Sequence, residues 1–108
     1  MSKRLYESCR IEKIVDGDTV DVAVDLGFHV WTKVRVRLAG INVPETFTVE
    51  GQISKSQLSA LCSWAEVKMY CEGKDRYGRW IAGLIRSTDD LDINAEMIRL
   101  GCAVAVKY

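Results

Sequence analysis

The sequence lacks the features of several common protein classes. No apolar run approaches the ~18 residues that a membrane-spanning helix needs, and the basic start at residues 1–4 is not followed by the apolar segment of a secretory signal. The 15 basic and 15 acidic side chains cancel, whereas a tight non-specific duplex binder normally carries an excess of positive charge. We therefore expect no membrane partner, and a cytoplasmic location unless a removed precursor segment directed secretion.

Histidine and paired cysteines are also scarce. The single histidine, His29, excludes two-histidine zinc sites and most histidine-dependent nuclease schemes. No C-x-x-C pair occurs among the four cysteines, so we expect reduced, buried thiols rather than a zinc ribbon: Cys9, Cys62, Cys71 and Cys102. Any chemistry must use carboxylates, arginines or a bound ion, with no organic cofactor.

The length and the order of elements indicate one small β domain. A chain of 108 residues is one domain, and we expect a monomer. A capping box is predicted to begin one helix at Ser54, with a hydrophobic staple between Ile53 and Leu58. Asp92 is predicted to cap a second helix that ends at Gly101. The predicted strands cover residues 11–15, 18–25, 28–38, 67–72 and 80–85. This order favours a mainly β fold with two helices, a five-stranded OB-fold barrel.

Two short segments of the first half combine turn residues with charged side chains. The segment at residues 15–20 reads V-D-G-D-T-V, which is typical of a type I′ hairpin with solvated aspartates, or of a carboxylate on a rigid strand start that binds a hard cation. In the segment at residues 37–45, Arg37 ends a strand and Glu45 follows a turn that Pro44 stiffens. This is either a charged strand face or a guanidinium fork for phosphate beside a carboxylate that accepts a proton from water.

A third segment, at residues 75–80, reads D-R-Y-G-R-W. It is either a turn with exposed arginines, or it directs Arg79 to the same phosphate and offers Tyr77 as an aromatic surface for a base. Each of the three segments alone is a weak signal.

In this order, V-D-G-D-T-V, R-L-x-x-I-x-x-P-E and D-R-Y-G-R-W resemble the staphylococcal nuclease (thermonuclease) family. Residues 93–103 also resemble the second helix of that family, so the resemblance covers about residues 11–103. The chain stops near the point where a third helix begins in longer members. The resemblance implies an OB barrel that cleaves phosphodiester bonds of DNA and RNA with calcium.

The resemblance implies roles for residues on the ion side of such a site. Asp18 and the backbone carbonyl of Val43 would be direct calcium ligands. Asp16 would lie next to these ligands without contacting the ion. Where the family usually has an aspartate, this chain has Asn42, whose amide oxygen can ligate calcium but is neutral. We expect weaker ion binding, with the substrate phosphate supplying the missing charge, or a weakened or inactive site.

The resemblance implies further roles on the substrate side. Glu45 would activate the attacking water, Arg37 and Arg79 would bind the phosphate and stabilise its developing charge, and Arg76 and Tyr77 would line the nucleotide pocket. Because Asp18, Arg37, Glu45 and Arg79 are all retained, we favour an active nuclease. A non-catalytic module that binds nucleic acid or protein is the alternative, and a plain barrel with aspartates in its turns is a third.

Overall fold

The computed structural model describes residues 4–106 and shows a closed five-stranded β-barrel with two helices. One sheet has the order β3-β2-β1-β5-β6-β7, and a parallel pairing of β3 with β6 closes the barrel, while β4 pairs with β8. The predicted OB-type fold class is confirmed. The strands are β1 (Arg4–Asp16), β2 (Thr19–Asp25), β3 (Trp31–Leu38), β4 (Ile41–Asn42), β5 (Glu66–Lys74), β6 (Trp80–Arg86), β7 (Leu91–Asp92) and β8 (Val104–Ala105), and the helices are α1 (Val49–Cys62) and α2 (Ile93–Arg99).

The core forms because apolar residues alternate along the barrel strands and both helices add apolar side chains to the same cluster. In β2 and β3 the inward positions are valine and leucine, while Asp21, Arg35 and Arg37 alternate with them. Fully buried side chains of this core include Ile11, Val20, Val22, Val36, Leu38, Leu58, Leu84, Ile93 and Met97.

The turn between β1 and β2 differs from the predicted type I′ turn. Asp16 pairs with Thr19, so Gly17 and Asp18 are the central residues, and neither has the positive φ that type I′ requires. A Cβ on Gly17 would lie 2.8 Å from the Cβ of Ser54. Glycine is therefore needed at this position because the hairpin packs closely against α1, and backbone conformation does not require it.

The third strand is shorter than the sequence predicts. It begins at Trp31 instead of at residue 28, because Gly27, Phe28 and His29 have φ of 85°, 54° and 62°. Such left-handed residues cannot continue a β-strand. The predicted turn at Leu26 and Gly27 is confirmed, and it extends two residues further than expected.

The first helix begins six residues before the predicted capping box. Its N-cap is Thr48, whose side-chain oxygen accepts a hydrogen bond from the N–H of Gly51 at 3.0 Å. Ser54 is instead buried within the helix and donates to the carbonyl oxygen of Cys102 at 2.6 Å. The predicted staple is also wrong, since Ile53 lies inside the helix and is exposed.

The second helix follows the prediction. Asp92 is its N-cap and accepts a hydrogen bond from the N–H of Ala95 at 3.0 Å. Gly101, with φ of 75°, follows the last turn, and Arg99 lies in that turn. Within residues 4–106, neither helix has the length and apolar character needed to cross a membrane.

We expect Gly51→Ala to destabilise the protein, although alanine normally favours a helix. A Cβ at this position would lie 1.9 Å from the carbonyl oxygen of Glu45, a backbone atom. The substitution should lower the free energy of unfolding in urea by about 1–3 kcal/mol. Gly83→Ala is the matched control, because nothing lies within 4 Å of its added Cβ. If the two variants are equally stable, α1 does not pack on the turn as described.

Candidate active site

Four strands bring the predicted site residues to one region of the barrel. Asp16 ends β1, Asp18 immediately precedes β2, and the first residue of β2, Thr19, is paired with Arg37 near the end of β3. Strand β6 runs parallel to β3 and begins directly after Arg79. The topology therefore places two carboxylates and two guanidinium groups on neighbouring strands, although they are far apart in the sequence.

The guanidinium of Arg37 connects the hairpin to the segment after β3. Its Nη2 lies 3.4 Å from Oδ2 of Asp18 and donates to Oδ1 of Asn42 at 3.2 Å. Its Nη1 donates to the carbonyl oxygens of Ile41 at 3.0 Å and Leu38 at 3.3 Å. Since Asp18 and Asn42 contact the same nitrogen, their oxygens face a common space, and backbone contacts fix the orientation of the guanidinium.

Asp16 is the most unusual carboxylate of the site. Its Oδ1 is buried and has no hydrogen-bond partner among residues 4–106. Burial raises the pKa of Asp16 above its usual value and the negative charge of Asp18 raises it further, while a hydrogen bond with Thr46 and the charges of Lys55 and Arg79 lower it to a smaller extent. A bound cation would stabilise a carboxylate oxygen that has no hydrogen-bond partner and lies beside a second carboxylate.

The turn after β4 is held by contacts of its backbone. The carbonyl oxygen of Glu45 accepts hydrogen bonds from the N–H of Thr48 at 3.0 Å and from its hydroxyl at 2.7 Å. Gly51 of α1 packs against the same carbonyl, and a methyl of Val43 lies against Gly17 of the hairpin. The side chain of Glu45 is exposed. A carboxylate in contact with water therefore projects from a turn whose backbone position is fixed.

Asp75 organises the loop that carries Arg79. Its Oδ2 accepts from Nε of Arg79 at 2.8 Å, and its Oδ1 accepts from the backbone N–H groups of Tyr77 at 2.8 Å and Arg79 at 3.0 Å. Burial opposes ionisation of Asp75, but these hydrogen bonds outweigh it and lower the pKa. The guanidinium of Arg79 lies 5.5 Å from the ring centroid of Tyr77. Arg76 and Tyr77 are exposed.

The structure thus brings together part of the predicted set. Five residues meet around the hairpin: Asp16, Asp18, Arg37, Asn42 and Val43. Arg79 lies within electrostatic range of Asp16 but forms its ion pair with Asp75. Within residues 4–106, the structure shows no hydrogen bond or ion pair between these five residues and the exposed side chains of Glu45, Arg76 and Tyr77.

Three polar residues of this region were not singled out from the sequence. Asp75 could have been found, because it lies four residues before Arg79 in a turn, where a carboxylate can bind both the backbone and the guanidinium. Thr46 and Lys55 carry no such signal. Their position near Asp16 depends on where α1 begins and on how it packs.

Comparison with known proteins identifies the family. The family model described as "Staphylococcal nuclease homologue" matches residues 35–108. A protein of Haemophilus influenzae named "Uncharacterized endonuclease" is 38% identical over 104 residues, which are 96% of this chain and 55% of that protein. A "Micrococcal nuclease" of Shigella flexneri is 34% identical over 106 residues, with 91% of this chain and 58% of that protein covered.

A further "Uncharacterized endonuclease", from Escherichia coli, is 32% identical over 94 residues, covering 87% of this chain and 58% of that protein. The chain therefore spans little more than half the length of these relatives. The family match covers well over half of the chain and confirms the resemblance that the three segments indicated. The chain belongs to the staphylococcal nuclease homologue family.

Proposed function

We propose that this chain is a calcium-dependent phosphodiester hydrolase that cleaves DNA, RNA or both. The observation that carries the proposal is the contact of one guanidinium, that of Arg37, with Asp18 and Asn42 beside the buried Oδ1 of Asp16. A guanidinium next to hard oxygen donors suits a phosphate ester and a divalent cation together. The names of the relatives, which are endonuclease and micrococcal nuclease, support the same class of reaction.

The oxygen donors near Arg37 fit a hard cation. Within residues 4–106 no three His, Cys, Asp or Glu side chains are grouped to hold a metal, so the set would need the Asn42 amide oxygen and the Val43 carbonyl besides Asp18. Calcium accepts such mixed oxygen ligands in loose geometry, and the unpaired Oδ1 of Asp16 adds negative charge nearby. When bound, the ion would polarise the phosphate and offset its charge.

Two guanidinium groups would bind the phosphate. Arg37 is oriented by backbone carbonyls and Arg79 by Asp75, so little reorganisation is needed when substrate arrives. Both would stabilise the negative charge that develops on the phosphate during the reaction. Loss of one such donor typically lowers a rate by about 10²–10³-fold.

Glu45 would act as the general base. Its exposed carboxylate would accept a proton from a water molecule, whose oxygen attacks the phosphorus while the bond to the leaving oxygen breaks in line. The fixed backbone of the turn limits where this carboxylate can reach. Arg76 and Tyr77 would contact the nucleotide next to the scissile bond.

A second candidate function is a non-catalytic module that binds nucleic acid or a protein. The specific observation that favours it is Asn42, which removes one negative charge from the ion side of the site. Binding that weakens with salt, without cleavage at any calcium concentration, would support this module over the hydrolase.

We expect the protein to cleave single-stranded DNA, plasmid or RNA in calcium and to lose this activity in chelator. Glu45→Gln should lower the rate by about 10²–10⁴-fold, because the general base is removed, with little effect on thermal unfolding. Glu50→Gln, an exposed carboxylate in the first turn of α1, is the matched control and should retain the rate. Failure of the unaltered protein to show chelator-sensitive cleavage on all three substrates would overturn the hydrolase proposal.

Asn42→Asp should strengthen the response to calcium. The change adds a negative charge near Asp18, and a unit charge about 4 Å away contributes about 1–4 kcal/mol between water and a protein surface. We expect the calcium concentration for half-maximal cleavage to fall by about tenfold or more. An unchanged calcium requirement would show that residue 42 does not contribute to ion binding.

Asp16→Asn should stabilise the protein in chelator at neutral pH. The pKa of Asp16 is raised in the folded state, so the stability linked to its protonated form is complete below the usual value of 3.8 and is lost as the pH rises through the raised value. In urea unfolding, the free energy of unfolding of the variant should therefore rise relative to that of the unaltered protein as the pH increases from below 3.8 to neutrality. Calcium should reduce this gain, and a difference that does not vary with pH would contradict the assignment.

A further inference from the structure

One end of the barrel contains an apolar cavity that the proposed reaction does not use. We call it the barrel mouth, and its volume is about 380 Å³. Mouths of β-barrels and other apolar concave sites with a few polar groups are common ligand sites. Its lining includes Tyr6, Leu26, Val34, Met69, Cys71 and Trp80.

Two cations flank the aromatic side chains of the barrel mouth. Arg4 is paired with Cys71 in the β1–β5 ladder, and Lys74 is paired with Trp80 in the β5–β6 ladder. Directly paired residues share a face of the sheet, so both cations lie on the side of the mouth. The guanidinium carbon of Arg4 is 5.5 Å from the ring centroid of Tyr6, and Nζ of Lys74 is 5.0 Å from that of Trp80.

This combination selects a particular ligand chemistry. An apolar cavity with two aromatic rings accepts a flat ring system, and the cations beside those rings attract a negatively charged group attached to it. A nucleobase that carries a phosphate has both properties. Grooves that bind single-stranded nucleic acid combine the same two elements, aromatic surfaces for bases and positive charge for the backbone.

The barrel mouth also lies close to the candidate active site along the same strands. Trp80 directly follows Arg79, and Val34 of the lining precedes Arg37 by three residues in β3. At a rise of about 3.3 Å per residue, this separation is about 10 Å along the strand. Since Val34 faces inward and Arg37 faces outward, a single strand of nucleic acid that binds at both places would pass over the barrel rim, where Arg79 precedes β6.

We propose that the barrel mouth binds an unpaired nucleobase of the substrate strand, near the phosphodiester that lies at Arg37 and Arg79. The inference rests on the proposed function for the position of that phosphodiester. It adds a binding site on the inner side of β6, formed by Trp80 and Tyr6, with Lys74 and Arg4 neutralising the adjacent phosphate charge.

The test is the binding of a fluorescein-labelled hexathymidylate, measured by anisotropy in chelator so that no cleavage occurs. Trp80→Ala should weaken binding by about tenfold, because stacking of the base is lost. Trp31→Ala is the matched control, since Trp31 is also half-exposed and lies beside a cation, Arg10, but does not line the mouth. An abasic hexamer should bind the Trp80→Ala variant and the unaltered protein alike.

A second variant keeps the test valid if Trp80→Ala does not fold. Lys74→Gln changes an exposed side chain. It should make the plot of log binding constant against log salt concentration less steep by about 0.7, the value for one contact with a single strand. Lys33→Gln, an exposed lysine that pairs with Glu12, should leave the slope unchanged.

Two results would overturn the inference. One is hexathymidylate binding that neither Trp80→Ala nor Lys74→Gln alters. The other is a dimer in sedimentation velocity that Trp80→Ala dissociates, which would make the mouth an interface between two copies of the chain. Because binding is measured in chelator, loss of cleavage in calcium would contradict the hydrolase proposal without affecting this result.

Discussion

The carboxylates of Asp16 and Asp18 lie together at one hairpin, and the rest of the candidate site depends on how the fold accommodates them. Burial raises the pKa of Asp16, and repulsion from the nearby negative charge of Asp18 raises it further. Arg37 provides the opposing charge at 3.4 Å from Asp18, while its other donors bind the segment after β3. One guanidinium therefore offsets the repulsion and connects the hairpin to β4, which precedes the turn that carries Glu45.

Close backbone packing fixes the geometry around this charge cluster. Gly17 allows the hairpin to approach Ser54 of α1, and Gly51 allows α1 to approach the carbonyl oxygen of Glu45. Thr48 caps the helix and binds that same carbonyl. The charged groups thus lie at strand ends and in turns whose backbone is held in place by a capped helix.

The sequence predicted the barrel strands because their apolar residues alternate, and three ordered segments were enough to identify the family. It misplaced the start of α1 because the residue three positions after Thr48 is Gly51, not the glutamate or glutamine of a capping box. The aspartate–glycine pair predicts a type I′ turn. Glycine is needed at Gly17 because α1 leaves no room for a Cβ, and only the tertiary structure shows this contact.

The same limit applies to the candidate site. The arginines and carboxylates could be selected because each lies in a short motif with chemistry of its own. The position of Lys55 near Asp16 depends on how a helix packs on a hairpin. The pairing of aromatic rings with cations at the barrel mouth depends on the register of the strands. Long-range contacts of this kind leave no local pattern in one sequence.

Under the proposed function, the cluster of Asp18, Asn42 and Arg37 binds a cation together with a phosphate. Calorimetric titration of calcium, with and without a nucleoside 3′,5′-bisphosphate, tests it most directly. We expect calcium to bind more tightly when the bisphosphate is present, and Asp18→Asn to abolish this gain. Calcium binding that is absent under both conditions, or that Asp18→Asn does not change, would contradict it.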